Sequence, residues 1–260
     1  MPRPQDDKLR IYMGKLKALF HIARNLVTPE TPHHRDYARL NIIRGIARFV
    51  LPRYRFEWPS VDWWDDPAFN TYLDRFGLAR GLMTRNKWMV NELLKLIVSI
   101  PGDTAECGVF EGATSYLICK TRNGIPRHHF VFDSFEGLSQ PTAEDGNEWS
   151  KGLLASPLER TKANLPFPNI SYHKGWIPER FPDAADHRFA FVHIDVDLYQ
   201  PTLDSFKFFY SRMNPGGLIV CDDYGFRGCP GATLAAREFM SDKHEKIIAP
   251  PCGGGFIIKT

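Results

Sequence analysis

No apolar run in the 260-residue chain approaches the ~20 residues that a membrane-spanning helix needs, so a helical membrane span is excluded for this stretch. Cysteine is scarce. The five cysteines (Cys107, Cys119, Cys221, Cys229 and Cys252) are odd in number, scattered, and form no CxxC pair. That excludes a disulfide-stapled scaffold and a zinc ribbon, and leaves reduced thiols serving as small hydrophobes. The opening residues, Met1 to Arg10, lack the basic, then apolar, then small pattern of a secretory leader, so a cytoplasmic location is expected. There is no GxGxxG fingerprint, which weakens a nicotinamide dehydrogenase reading. Internal repeats and low-complexity segments are also absent.

A composition of 43% hydrophobic and 24% charged residues suits one sizeable globular core. The net charge of +3 hides an asymmetry: residues 1–60 hold 12 Lys and Arg against 5 Asp and Glu. Helical periodicity is expected over Lys8 to Val27 and over Asp36 to Val50. Such basic amphipathic helices suit either an anionic membrane surface or, more commonly, packing on the same domain or a second subunit. Peripheral membrane contact through residues 1–60 and a homo-oligomer are both carried forward as expectations. Nucleic-acid binding is not expected, because the basic segment is remote in sequence from the motifs described next.

The organisation reads as two parts: a helical, basic extension over residues 1–80, and a domain over 81–260. The extension includes the aromatic segment Tyr54 to Pro67, with Trp58, Trp63 and Trp64. From Asp103 onward the rhythm is strand, helix, strand. Strands are expected at Ala105–Val109, His129–Asp133, Ile170–His173, Phe189–Asp195, Leu218–Asp222, Glu245–Ala249 and Phe256–Lys259. Helices are expected at Met83–Ile97, Ala113–Thr121, Pro157–Leu165, Thr202–Met213 and Ala232–Ser241. This alternation argues an α/β, doubly wound and mostly parallel sheet. The polar, Gly- and Pro-punctuated stretch from Phe135 to Gly152 has the length of a lid or binding loop.

Two apolar runs end abruptly in acids: Phe191 to Asp195-Val-Asp197, and Leu218 to Asp222-Asp223. Both carboxylate sets then lie where buried strands emerge, which is where open α/β sheets bind ligands. If the strands are neighbours, Asp195, Asp222 and Asp223 converge, and three close carboxylates call for a cation between them. A hard divalent ion is the natural occupant, Mg²⁺ before Ca²⁺ or Mn²⁺. The first strand ends in Glu106-Cys-Gly108-Val-Phe-Glu111-Gly112, and the following helix start offers free N–H groups. Glu106 would repel a pyrophosphate and welcome an ammonium or sulfonium. Asp133, at the next strand end, is placed for ribose hydroxyls.

Four motifs in order, Glu106 to Ala113, Phe132 to Leu138, Ile194 to Thr202 and Pro215 to Tyr224, resemble the macrocin O-methyltransferase family. The likeness runs from about Met83 to Met240. The resemblance implies a Rossmann-like class I methyltransferase sheet of seven strands, the last antiparallel, and S-adenosylmethionine with Mg²⁺ or another divalent cation as cofactors. It implies methyl transfer to a hydroxyl of a small-molecule or glycan acceptor. By it, Glu106, Gly108 and Gly112 line the methionine moiety, with Val109, Phe110 and Glu111 in the same turn. Thr114 and Ser115 fall near the polar end, Asp133 at the ribose, Ser134 and Phe135 at the adenosine, and Gly175-Trp176 at the adenine. Met83, Thr84 and Asp195 complete the cofactor contacts, and Asp195, Asp222 and Asp223 match the metal positions.

Two departures stand out. Phe110 replaces a turn glycine, and no histidine occurs from Glu136 to Leu165 to serve as base. The base is therefore sought among the acids, Asp195 first and Asp197 second, although Asp197 reads first as a turn or helix-cap residue before Gln200-Pro201. His193 reads as a hydrogen-bonded core residue. Trp149 and Tyr199 are candidate platforms for a sugar ring. A glycosyltransferase using Asp195-Val-Asp197, and a membrane-surface scaffold without activity, are the competing readings.

Overall fold

A computed structural model of the chain describes residues 17, 19–51, 65–78, 84–121 and 124–260. Compactness divides it into two units, Met1–Asp66 and Pro67–Thr260. The division falls before residue 80 because helix Pro67–Arg75 buries Phe69, Tyr72 and Leu73 with the second unit's own aromatics. Phe69 meets Trp88 edge-on at 4.9 Å, and Tyr72 stacks on Tyr116 at 6.1 Å.

Within the first unit, helix α1 spans Pro32–Val50, with Thr31 as its cap: the Thr31 hydroxyl accepts from the His34 N–H, and Pro occupies the first turn. The aromatic segment Tyr54 to Pro67 lies almost wholly outside the described residues, as do residues 8–16 and 18 of the helix expected over Lys8 to Val27, whose residues 19–27 are helical.

The second unit begins with α2 (Pro67–Arg75) and α3 (Thr84–Leu96), then alternates: β1 Asp103–Cys107, α4 Ala113–Thr121, β2 His129–Asp133, α5 Leu158–Asn164 and β3 Ile170–Lys174. It continues with β4 Phe189–Ile194, α6 Tyr199–Phe209, β5 Met213–Cys221, α7 Pro230–Met240 and β6 Gly255–Ile258. One sheet forms in the order β3-β2-β1-β4-β5-β6. All neighbours are parallel except β5 and β6. The expected α/β, doubly wound architecture with an antiparallel last strand is therefore present. The strand order reverses between β1 and β4, and parallel sheets of this kind bind ligands outside the strand ends at that point.

The sheet has six strands, not seven. Glu245–Ala249 is not a strand; Ile248 makes only an isolated antiparallel bridge to Phe256. Pro250 and Pro251 follow immediately and supply no N–H, so the ladder cannot extend. β1 ends two residues earlier than its apolar pattern suggests, leaving Gly108 and Val109 in the turn. β5 starts earlier than expected and runs through Asn214-Pro-Gly-Gly217, at the cost of a register irregularity against β4.

β4 is buried along its whole length, as a central parallel strand should be. Its own Phe189 packs with Phe132, Phe181 and Phe209 in a cluster of edge-on pairs at 5.0–6.0 Å. That packing fixes the strand ends from which the acids project. All five cysteines are free, four of them buried, as the scarcity of thiols predicted.

Candidate active site

A cavity of about 380 Å³ opens over the C-terminal ends of β1, β2, β4 and β5. It is lined by Glu106, Gly108, Val109, Phe110, Glu111, Thr114, Asp133, Ser134, Gly175, Trp176, Asp195, Asp197, Asp222 and Asp223. Gly112, Ser115 and Phe135 are not among the lining residues, Thr84 is the first residue of α3 and its hydroxyl donates to Leu78 O at 3.2 Å, and Met83 lies outside the described residues. Gly137, Leu138, Ser139 and Leu154 bring the Phe135 to Gly152 loop and its flank to the same wall. Leu138 and its neighbours are held by backbone bonds, Leu138 N–H to Leu153 O at 2.8 Å and Gly152 N–H to Leu138 O at 2.9 Å. Trp149 and Tyr199 are not in the lining: the Trp149 indole N–H donates to Gly228 O at 2.7 Å, and the Tyr199 hydroxyl donates to Glu238 at 2.6 Å.

The β1 turn is built by side chains as much as by glycine. One Asp133 oxygen accepts from the Val109 and Phe110 N–H groups at 2.7 and 3.0 Å, and the other from Phe135 N–H at 2.7 Å. Asp133 therefore ties two strand-end turns together while still facing the cavity. Gly108, at φ +77°, is required for a reason the sequence reading missed. A β-carbon there would lie 1.7 Å from the Asp195 carbonyl oxygen. Its smallness lets β1 and β4 meet and aims Asp195 at the cavity, rather than making room for a ligand. Phe110, Phe135 and Asp197, none of them glycine, also adopt positive φ at the strand-end turns (50°, 54° and 59°). Such strain gathers where the surroundings over-determine a functional geometry.

The acids divide into two groups. Among the described residues, the sets of three or more His, Cys, Asp or Glu ligand atoms lying within 4.8 Å of one another are Glu106–His193–Asp195 and Asp197–Asp223–Cys229. The expected trio Asp195, Asp222 and Asp223 does not close as one such set. In the first group the negative charge is compensated. The His193 Nε2 lies 3.2 Å from Asp222 Oδ1, and its Nδ1 lies 3.1 Å from Glu106 Oε1. The Lys87 Nζ lies 3.4 Å from Asp195 Oδ2 and 3.7 Å from Asp222 Oδ1, and donates to Thr114 Oγ1 at 2.9 Å. Glu106 also accepts from the Ser115 hydroxyl, which sits 2.9 Å from His129 Nε2.

Burial opposes the charge on His193, but Asp222 and Glu106 outweigh it and raise its pKa to about 10. Burial likewise opposes the charge on Asp222, yet Lys87 and His193 hold its carboxyl below the ordinary range. The Asp195 pKa is pushed up to about 8 by burial and by Asp222, with Lys87 pulling the other way.

In the second group no ion pair within 4 Å answers the acids among the described residues, and Lys87 acts on Asp197 only at longer range. Asp223 accepts from the Asp197 N–H at 2.9 Å, and the Cys229 thiol lies 3.8 Å from Asp197 Oδ1. Burial and Asp195 push Asp197 up to about 7, and burial and Asp197 push Asp223 up to about 8. The cavity thus carries an excess of buried carboxylate oxygens, the donor type that a hard divalent cation selects, so these residues fit such an ion. The concave, largely apolar space beside Glu106 likewise fits a nucleoside-sized ligand bearing a cationic end.

Two contributors escaped the sequence reading or were undervalued by it. Lys87 lies on the buried face of α3 with Val90, Leu93 and Leu94. A lone lysine in an apolar helical stripe was the available signal. His193 is buried and hydrogen-bonded as expected, but its partners are the candidate site acids themselves.

Residues 82–250 match the family described as Macrocin-O-methyltransferase (TylF). The 8-demethyl-8-(2,3-dimethoxy-alpha-L-rhamnosyl)-tetracenomycin-C 4'-O-methyltransferase of Streptomyces olivaceus is 31% identical over 165 residues, 57% of this chain and 63% of that protein. The demethyldecarbamoylnovobiocin O-methyltransferase of Streptomyces niveus is 29% identical over 55% of this chain and 60% of that one. The chain therefore spans about three fifths of the length of these curated relatives. Among solved structures, the O-methyltransferase NovP superposes with a TM-score of 0.59 at 23% identity, covering 68% of this chain and 80% of that one. The calicheamicin methyltransferase CalS11 superposes at 0.61 with 16% identity, covering 80% and 96%. These two likenesses concern the fold. The matched segment takes in the β1 turn, the Asp133 turn and both acid groups, and the chain belongs to the macrocin O-methyltransferase family.

Proposed function

We propose that this protein is an O-methyltransferase that moves the methyl group of S-adenosylmethionine to a hydroxyl of a sugar or glycan-bearing acceptor. The observation that carries the reading is the shared cavity, in which Glu106, Asp133 and Asp195 face one space at the switch point of the sheet. The names of the relatives, which act on rhamnosyl-tetracenomycin and novobiocin precursors, support a glycoside acceptor.

Glu106 and the Gly108 turn receive the cationic amino-acid end of the donor. Asp133 and Ser134 face the ribose, and Gly175 and Trp176 flank the base. The acceptor hydroxyl attacks the sulfonium methyl in line: an O–C bond forms, the C–S bond breaks, and S-adenosylhomocysteine leaves. Asp195 takes the hydroxyl proton, its raised pKa bringing it close to neutral pH, where a general base works best. Asp197 is the second candidate. A divalent ion would be held by Asp195, Asp222 and Asp223, and would supply Lewis acidity at the acceptor hydroxyl.

A sugar-nucleotide clamp built on Asp195-Val-Asp197 is not favoured, since it leaves Glu106 with its Gly108 turn and the Asp222–Asp223 pair without a role. Calorimetry with S-adenosylhomocysteine, followed by mass analysis of glycosides incubated with S-adenosylmethionine, tests the reading. Binding of a UDP-sugar in place of S-adenosylhomocysteine sinks it.

For the first unit we propose contact with an anionic lipid surface. On α1, Ile42, Ile43, Ile46, Phe49 and Val50 are exposed, and Leu19, Phe20 and Val27 before it are exposed as well. Arg35, Arg39 and Arg48 lie exposed on the same helix. A second copy of the chain carries the same basic excess, whereas anionic headgroups complement it. Co-sedimentation with phosphatidylglycerol vesicles but not phosphatidylcholine vesicles is expected. Equal partitioning, or a salt-insensitive dimer in solution, overturns it.

A further inference from the structure

Lys87 holds a position that the proposed chemistry does not use. Its side chain is only 10% exposed, and its Nζ touches Asp195 and Asp222, from two different strands, together with the Thr114 hydroxyl of α4. It is the sole Lys or Arg among the described residues lining the cavity. A buried ammonium between two carboxylates has a clear effect on anything else those carboxylates bind. It lowers their mutual repulsion, and it repels a second cation that approaches the same oxygens.

We propose that Lys87 is a resident counter-cation and positioning residue: it holds Asp195 and Asp222 together without a metal, and weakens the capture of a divalent ion by the same pair. The proposal rests on the reading of these acids as divalent-ion ligands. Three observations point the same way. The pair Asp195 and Asp222 has a lysine ion pair, whereas Asp197 and Asp223 have no ion pair within 4 Å among the described residues. Lys87 spans the strand ends of β4 and β5 from a helix outside the sheet, so it acts as a brace between elements. The lysine is also anchored, its third contact being a hydroxyl 2.9 Å away that cannot follow it if it leaves.

Two consequences follow. The folded protein does not require a metal for its stability. Removing the lysine's charge makes stability depend on metal, because two buried carboxylates are then left facing each other.

The test uses the full chain as wild type, Lys87→Gln and Lys87→Arg, with Mn²⁺ as the probe. Mn²⁺ binding is followed by the loss of its free-ion electron paramagnetic signal, and unfolding temperature is measured in EDTA and in Mg²⁺. Wild type should melt at the same temperature in both. Lys87→Gln should melt lower in EDTA, recover in Mg²⁺, and bind Mn²⁺ roughly tenfold or more tightly than wild type. Lys87→Arg keeps the charge and should keep the wild-type Mn²⁺ affinity.

If Lys87→Gln folds only with Mg²⁺ present and unfolds on chelation while wild type stands, the proposal is upheld. If it binds Mn²⁺ no more tightly than wild type, or if Lys87→Arg behaves like Lys87→Gln, the proposal is overturned. Calorimetry with S-adenosylhomocysteine on the same three proteins separates the two readings. Its failure in all of them sinks the transferase assignment and leaves the Mn²⁺ comparison intact.

Discussion

The two acid groups of the cavity have similar burial and opposite electrostatics. Asp222 sits between an ammonium and an imidazolium and is held in its charged form. Asp223, its neighbour in the chain, faces Asp197 and a thiol, and its charged form is disfavoured. Both lie in the turn after β5 and both line the cavity, so the difference is set by the side chains that other elements bring to each. The compensated group holds its acids without a ligand's help, and the uncompensated group is left with unmatched acceptor oxygens. The charge balance, more than the number of acids, distinguishes the two groups.

The largest expected effect distinguishes the two groups by chemistry. Asp195→Asn should lower methyl transfer by about 10²–10⁴, the usual contribution of a general base. Asp197→Asn should lower it far less. Measured as S-adenosylhomocysteine formed per unit time, the reverse order would move the base to the second group.

The next contrast is in stability, read by denaturant unfolding in EDTA. Asp222→Asn strands two buried cations and should cost about 3–5 kcal/mol. Asp223→Asn keeps an oxygen for the Asp197 N–H and removes a repelled charge. At neutral pH it should leave stability unchanged or raise it by about 1–2 kcal/mol. Equal losses for both variants would erase the distinction between the groups.

A smaller effect follows from His193. Its folded-state pKa is raised to about 10, above the unfolded value near 6.5. The stabilisation from its charge is complete below the unfolded value and fades as pH rises through the folded one. The stability gap between wild type and His193→Gln should therefore be widest near pH 6 and narrow above pH ~10. A gap that widens with pH would mean that His193 is neutral in the fold.

Much of this arrangement was legible in the chain itself. Apolar runs ending in Asp195 and Asp222 located two strand ends, and the strand–helix–strand rhythm made them parallel neighbours. Glu106 and Asp133 announced the other two ends in the same way. The partition of the acids was not legible, because it depends on which side chain from another element arrives between them. Lys87 comes from α3, 108 residues before Asp195, and no local pattern links the two. Gly108 shows the same limit: its turn was readable, but its close approach to the Asp195 carbonyl is a tertiary fact. The missing strand at Glu245–Ala249 failed for a local reason that Pro250 and Pro251 had already written into the sequence.

The finest probe of the second group is Cys229. Its thiol lies 3.8 Å from Asp197, and burial together with Asp223 and Asp197 pushes its pKa well above the ordinary value. It therefore stays protonated, a weak donor beside two acids that repel each other. Cys229→Ser keeps the size nearly constant and offers a stronger donor to the same oxygen. The variant should gain about 0.5–1 kcal/mol in EDTA, the net value of an added hydrogen bond. Placed beside Asp222, which already has charged donors, the same exchange of donor strength would change little. A gain at Cys229 thus reports unmet acceptor capacity in the second group. A loss, measured in the same denaturant titration, would mean that the acids there are already satisfied by one another and share a proton.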